Sequence, residues 1–240
     1  MFRFARNSLL TLENGLPDLE LFVAPGSCAR VPTIALEEIG VKFDTTLVRT
    51  AIGQQKSAEF LAVNPKGKVP VLVVNGVPLT ENVAILSWLN KSYPDAGLLP
   101  SVTNDFDAAQ QISDLAFFSG TVHPHVTRVA MPMKFIEDAK LSFDIVRSKG
   151  TSDMNVVMGM INDRLADRPW WYGDDWSIVD GYLFWTWWRI CVVGYPQDAF
   201  PHLKDHALRI AQRPSVMRAL QREARNIEIL KSEGIYKEPV

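Results

Sequence analysis

The sequence predicts a mixed α/β domain of short strands and helices, followed by a second domain made only of helices. Three observations carry this reading. Val71 to Thr80 holds two short apolar runs joined by Asn75-Gly76, a strong short-range hairpin signal. An apolar stripe at helical spacing, Val83, Ile85, Leu86 and Leu89, follows at once. Beyond Tyr93-Pro-Asp-Ala-Gly-Leu-Leu-Pro100, a stretch rich in turn formers, only helical patterns recur.

Residues 1–18 precede the recognisable pattern as an extension. Their start, Met1-Phe-Arg-Phe-Ala-Arg-Asn-Ser-Leu-Leu, is cationic but lacks a secretory apolar region and a small-residue cleavage site, so a surface-draped or disordered segment, or a mis-assigned start, is expected. Leu19 to Val23 reads as the first strand. A helix over about 30–39 packs through Ile34, Ala35 and Leu36 and stops near Gly40. Phe43 to Val48 is a second strand and Ser57 to Val63 a short helix. The hairpin and a helix over Val83–Tyr93, with Glu81 and Asn82 at its start, complete a domain over 19–95. After a linker at 96–103, a helical domain occupies 104–240. Its first helix begins near Asn104, with Asp107 three residues on, and is expected to bury Ile112, Leu115 and Phe118. The pattern runs past His123-Pro124-His125, where proline should kink or divide the helix. Met154, Val157, Met158, Ile161 and Leu165 mark a further helix. Ser177-Ile-Val-Asp180 is a capping-box-like start, and Pro214 sits in the first turn of the last long helix.

Composition excludes several classes. The chain has 240 residues, 47% hydrophobic and 22% charged, ordinary for a globular protein with ample core. A net charge of −2 without a basic run argues against a nucleic-acid partner. No apolar run approaches the roughly 18 residues of a membrane span. Cys28 and Cys191 are the only cysteines, with no Cys-x-x-Cys and no His/Cys cluster, so neither a disulfide framework nor a metal site is indicated. A cytoplasmic location fits.

Several stretches together resemble the glutathione S-transferase family. Pro65-Lys-Gly-Lys-Val-Pro70 matches the family's loop, and Glu81-Asn82 stands where the family has Glu-Ser at a helix start. Gly173-Asp-x-x-Ser-x-x-Asp180 matches a signature of the family's second domain. The resemblance covers about residues 19–232. It implies the glutathione transferase fold: a thioredoxin-like N-terminal domain, in the order β-α-β-α-β-β-α, plus an all-α C-terminal domain. It also implies glutathione as co-substrate and a homodimer in which the first domain of one subunit packs on the second domain of its partner.

By that resemblance Val69-Pro70 is a cis peptide whose Val69 backbone groups pair with the cysteinyl part of glutathione. Glu81 meets the ligand's amino group. Asn82 and the free N–H groups of the helix start hold the γ-glutamyl carboxylate. Lys68 reaches the glycyl carboxylate, and His123 faces the site from the second domain. A plain hairpin followed by a capped helix, with Glu81 serving the helix dipole, is the structural alternative.

The reaction needs a thiolate, and an ordinary thiol near pKa 8.5 is only about a few per cent ionised at pH 7. A donor near the sulfur supplies the rest. Pro25-Gly-Ser-Cys-Ala29 with Pro32 and Ile34 is most similar to the bacterial beta-type branch, whose cysteine falls on Cys28. Val23 and Ala29 replace the branch's usual tyrosine and serine, which leaves Cys28 and Ser27 as catalytic candidates. Cys28 at a helix start is expected to be acidified; as a structural residue it is a small buried apolar group. Ser27 serves equally well as a helix cap. Ala24, Pro25, Phe118, Arg128 and Met131 are expected to border the electrophile site, with Met133 and Phe135 nearby. Six tryptophans fall between Trp170 and Trp188, more in keeping with core than pocket, yet aromatic and Met-rich surfaces suit flat apolar substrates.

The leading expectation is glutathione attack on an electrophilic, aromatic or apolar substrate, in detoxification or aromatic catabolism. Aryl-ether cleavage or dehalogenation uses the same half-site. Disulfide exchange through Cys28 is a second chemistry, and a non-enzymatic glutathione or ligand binder a rival of another class.

Overall fold

The computed structural model describes residues 17–136 and 140–238, the side chains of Lys140 and Leu141 excepted. The expected extension therefore lies almost wholly outside the described residues. Strand β1 (Leu19–Val23) is central in a four-stranded sheet of order β2-β1-β3-β4. β2 (Asp44–Leu47) runs parallel to it, while β3 (Val71–Val74) and β4 (Val77–Thr80) form the antiparallel hairpin. Asn75 and Gly76 both have positive φ, as a two-residue hairpin turn requires. Helices α1 (Arg30–Ile39), α2 (Ala58–Val63) and α3 (Asn82–Ser92) complete the thioredoxin-like part.

Alternation along β1 sends Leu19, Leu21 and Val23 into the main core and Phe22 to the opposite face, where it meets Phe60 of α2 edge-on at 6.0 Å. Ile34, Ala35 and Leu36 of α1 are fully buried, and Gly40 closes that helix with φ 74°. Ser57 caps α2, its hydroxyl accepting the Phe60 N–H.

The linker is anchored. Leu98 and Leu99 are buried, the Leu99 N–H donates to Asn90 Oδ1, and the Leu98 carbonyl accepts the Ile178 N–H at 2.8 Å. The helical part follows as α4 (Asp105–Ala116), α5 (His123–Ala130), α6 (Lys140–Arg164), α7 (Ile178–Cys191), α8 (Pro201–Ala211) and α9 (Pro214–Ser232). Asn104 caps α4 through the Asp107 N–H, as its spacing predicts. Ile112 departs from expectation: it is 43% exposed, while Leu115 and Phe118 are buried.

The expected break at Pro124 is spread over the turn before it. Phe117–Val122 is a π-helical segment, in which the His123 N–H reaches back to the Phe118 carbonyl, and Pro124 then sits in the first turn of α5. There its missing N–H costs little. No described helix is long and apolar enough to cross a membrane.

The Ser177–Asp180 box is present at the start of α7. Asp180 is fully buried and accepts from the Ser177 N–H and hydroxyl, the Trp171 N–H at 2.8 Å, and His206 Nε2 at 2.9 Å. Trp171, Trp176, Trp185 and Trp187 are buried, so most of the tryptophan cluster is core. One continuous core runs from the sheet through α1 and α3 into α7 and α9.

Candidate active site

Cys28 lies in the turn between β1 and α1, two residues ahead of the helix. Its position follows from local chemistry. Gly26 adopts φ 74°, which favours glycine. The Ser27 hydroxyl donates to the Ala24 carbonyl at 2.6 Å and accepts from the Ala29 N–H. Ser27 is thus committed to shaping the turn, and the sequence-level alternative of Ser27 as thiol activator loses its free hydroxyl.

The Cys28 sulfur sits 3.9 Å from the Val69 carbonyl, and Val69-Pro70 is cis. The Val69 N–H makes no hydrogen bond among the described residues. Asn82 opens α3 with its Nδ2 donating to the Cys28 carbonyl at 3.1 Å, which ties the hairpin-following helix to the cysteine turn. The Asn82 Oδ1 is buried without a partner. Glu81 holds φ 74°, a conformation costing a non-glycine residue roughly 1–3 kcal/mol. Its side chain makes no cap, leaving the first N–H groups of α3 free, and its carboxylate pairs with Lys66 at 2.6 Å on the surface.

The helical part closes the other side. The His123 ring stacks edge-on against Trp185 with centroids 4.6 Å apart, and its Nδ1 lies 3.4 Å from the Tyr182 hydroxyl. Burial, with the Lys134 and Lys68 charges behind it, pushes His123 down to about 4, so its ring is neutral at pH 7. Lys68 is exposed at the rim.

Electrostatics correct one expectation. Burial pushes the Cys28 thiol up to about 12, and the Glu81 charge adds to this, against opposing pulls from its own backbone N–H, Asn82 and Lys134. Burial thus outweighs the acidification expected of a cysteine at a helix start. The reason is position: it precedes α1 beside the Val69 carbonyl, and desolvation there exceeds what the helix start and Asn82 offer.

The expected electrophile-site residues separate. Phe118 is fully buried, packed on Trp171 at 5.1 Å and on Tyr182 at 5.8 Å, so it belongs to the core rather than to a cleft wall. Ala24 and Pro25 face a small indentation against α9, beside Arg222, Glu223 and Asn226. Arg128 is half-buried, 3.4 Å from His125 Nδ1 and over the Phe135 ring at 5.6 Å. Met131 is half-buried at the end of α5, with Met133 and Phe135 exposed beyond it.

Sequence reasoning missed Lys134 and Tyr182. Lys134 is close enough to Cys28 and Lys68 for each to alter its titration, and desolvation lowers it most. Tyr182 is buried on α7, and burial together with the Cys28 and Glu81 charges raises its phenol. Tyr182 reads in sequence as one more aromatic of an apolar helix, and nothing local marked it. Among the described residues no His/Cys/Asp/Glu group is arranged to hold a metal ion.

A thioredoxin-like sheet, a cis-proline loop facing a turn cysteine, and a helical part carrying a capped central helix define a glutathione-transferase-like architecture. The family model described as "Glutathione S-transferase, N-terminal domain" matches residues 26–92. The glutathione S-transferase GstA of Escherichia coli O157:H7 is 32% identical over 209 residues, 85% of this chain and 98% of that protein. This chain belongs to the glutathione S-transferase family. Among solved structures, the bacterial beta-class glutathione S-transferase of Sphingomonas chungbukensis is 33% identical with a TM-score of 0.74, over 85% of this chain and 98% of that one. A sphingomonad glutathione S-transferase complexed with glutathione is 31% identical over the same shares, also with a TM-score of 0.74.

Proposed function

We propose that this chain is a glutathione transferase in which the Cys28 thiol donates a hydrogen bond to the glutathione sulfur. The observation that carries the reading is the Cys28 sulfur 3.9 Å from the carbonyl of the cis Val69-Pro70 peptide, where burial pushes its thiol up to about 12. The unbonded Val69 N–H and its carbonyl offer a donor and an acceptor to the extended cysteinyl backbone of the ligand. The free N–H groups of α3 offer a carboxylate site. Glu81 takes the ligand's ammonium in exchange for Lys66, an exposed pair worth at most about 1 kcal/mol. Lys68, Lys134 and neutral His123 line the opposite rim, where positive charge stabilises a thiolate.

A donor thiol favours attack by the glutathione thiolate on an electrophilic carbon over exchange through Cys28, since only a thiolate attacks a disulfide. Met131, Met133 and Phe135 border the entrance and support an aromatic or apolar electrophile. Ether cleavage and halide displacement are further reactions of that one half-site. A homodimer is part of the same proposal.

The test is glutathione consumption with a nitro-activated chloroarene, aryl ethers, halides and a disulfide, for wild type and Cys28→Ala. Loss of one sulfur donor raises the pKa of bound glutathione, and each unit of that rise lowers the thiolate fraction about tenfold, so kcat for the chloroarene at pH 7 should fall roughly 10-fold or more. Disulfide activity that vanishes in Cys28→Ala, with no carbon electrophile turned over by either protein, would establish thiol exchange instead.

A further inference from the structure

Both backbone polar groups of Gly26, two residues ahead of Cys28, are held by side chains of the helical part. Its N–H donates to Glu223 Oε1 of α9 at 2.9 Å, and its carbonyl accepts from Trp185 Nε1 of α7 at 3.2 Å. Glu223 is fixed in turn. Arg30, 4% exposed, grips both its carboxylate oxygens, Nη2 to Oε1 at 2.8 Å and Nε to Oε2 at 2.9 Å, and stacks on Trp188 at 3.5 Å. A tether needed only to hold α9 against α1 has no use for the Gly26 peptide. Arg218 and Arg222 on Glu37, and Arg213 on Glu38, already join those helices.

We propose that Glu223 is a positioning residue: with Trp185 it clamps the Gly26 peptides and so holds the half-buried Cys28 thiol against Val69. The clamp sets where the sulfur lies and how far it is desolvated, and Glu223 acts only through Gly26 and Arg30. The role of Cys28 as donor rests on the function proposed above; the effect of the clamp on the thiol does not.

Iodoacetamide labelling of the native protein at pH 8, with Cys28 and Cys191 followed separately by peptide mass spectrometry, tests this. Cys191 is a second half-buried thiol, on α7, and serves as the internal control. In Glu223→Gln the charge grip on Arg30 is lost and the turn loosens. The Cys28 sulfur then moves off Val69 and is more fully solvated, its pKa falls back toward that of a free thiol, and its labelling should quicken at least 10-fold while Cys191 changes less than 2-fold. Trp185→Phe keeps the ring and removes only the N–H, and should act in the same direction more weakly; it also carries the test if Glu223→Gln fails to fold. In the chloroarene assay kcat should fall at least 5-fold, with the KM for glutathione moving less than 2-fold. Unchanged Cys28 labelling in both variants, or parallel increases at Cys28 and Cys191, would overturn the proposal, the second outcome meaning general loosening. Selective Cys28 exposure combined with full chloroarene turnover by Cys28→Ala would uphold the clamp and sink the donor role of Cys28.

Discussion

Residue identity matters most where a side chain is asked to do two things. Glu81 occupies a backbone conformation that disfavours any residue with a Cβ, yet it carries a charge at the start of α3. A glycine relieves the strain but cannot offer a carboxylate, so a glutamate at this position fits the proposed ligand contact. Glu81→Gln keeps the backbone cost and removes the charge. A hydrogen bond to a charged group contributes about 1.5–3 kcal/mol, so the KM for glutathione should rise roughly 10- to 100-fold with kcat much less affected. Initial rates over a glutathione series check this; an unchanged KM removes Glu81 from the binding site. Cys28 shows how neighbours override local rules. A helix start lowers a thiol pKa, but burial at the cysteine turn is the larger effect.

At the scale of elements, α5 and α6 cross very closely because α6 has Gly150 where they meet. A Cβ there would lie 2.7 Å from the Arg128 Cβ and 3.2 Å from backbone atoms of Arg128 and Val129. None of those atoms can swing aside as a side-chain tip would. Gly150→Ala should therefore cost about 1–3 kcal/mol despite its better helix propensity, read as a lower midpoint in urea unfolding. An increase in stability would mean the helices separate freely. The same crossing positions Arg128 and Met131 on α5, so the variant should also shift chloroarene kinetics. Gly181 plays a milder part between α7 and α1, where an added Cβ would meet Ile178 Cδ1 at 3.1 Å and Ile34 Cγ2 at 3.7 Å.

Across the whole molecule, the first and last helices are joined by charge as well as by core. Glu37, 8% exposed, receives Arg218 at 2.6 Å and Arg222 at 2.5 Å, and Glu38 receives Arg213 at 2.6 Å. Burial raises the Glu37 pKa, but its hydrogen bonds and charge contacts with Arg222 and Arg218 together exceed that and hold it below the usual carboxylate range. A depressed folded-state pKa contributes stability that is present above the unfolded value of about 4.3 and is lost as pH falls through the folded value. Urea midpoints should therefore fall on acidification below about pH 4.5, and fall less steeply in Glu37→Gln. Equal slopes in the two proteins would show that this seam does not titrate with unfolding. Because the core is continuous from the sheet to α9, loss of the seam should be felt at the cysteine turn too.

Much of this protein was legible in the sequence because it depends on neighbours in the chain. The Asn75-Gly76 turn, the Ser57 and Asn104 caps, the Gly40 stop and the Ser177–Asp180 box are local backbone chemistry, and each stands where its residues indicate. The apolar stripes of α1 and α3 likewise predicted which faces are buried. What only the tertiary structure decided depends on residues brought together from far apart. The setting of the Cys28 turn depends on contacts with Val69 and Asn82, 41 and 54 positions away, and the grip on Gly26 on Trp185 and Glu223, 159 and 197 positions away. Ile112 fell on the wrong side of expectation because the partners of α4 set which face is covered, and helical spacing alone does not contain them. Periodicity specifies a face; desolvation, charge and close approach exist only once the faces have met.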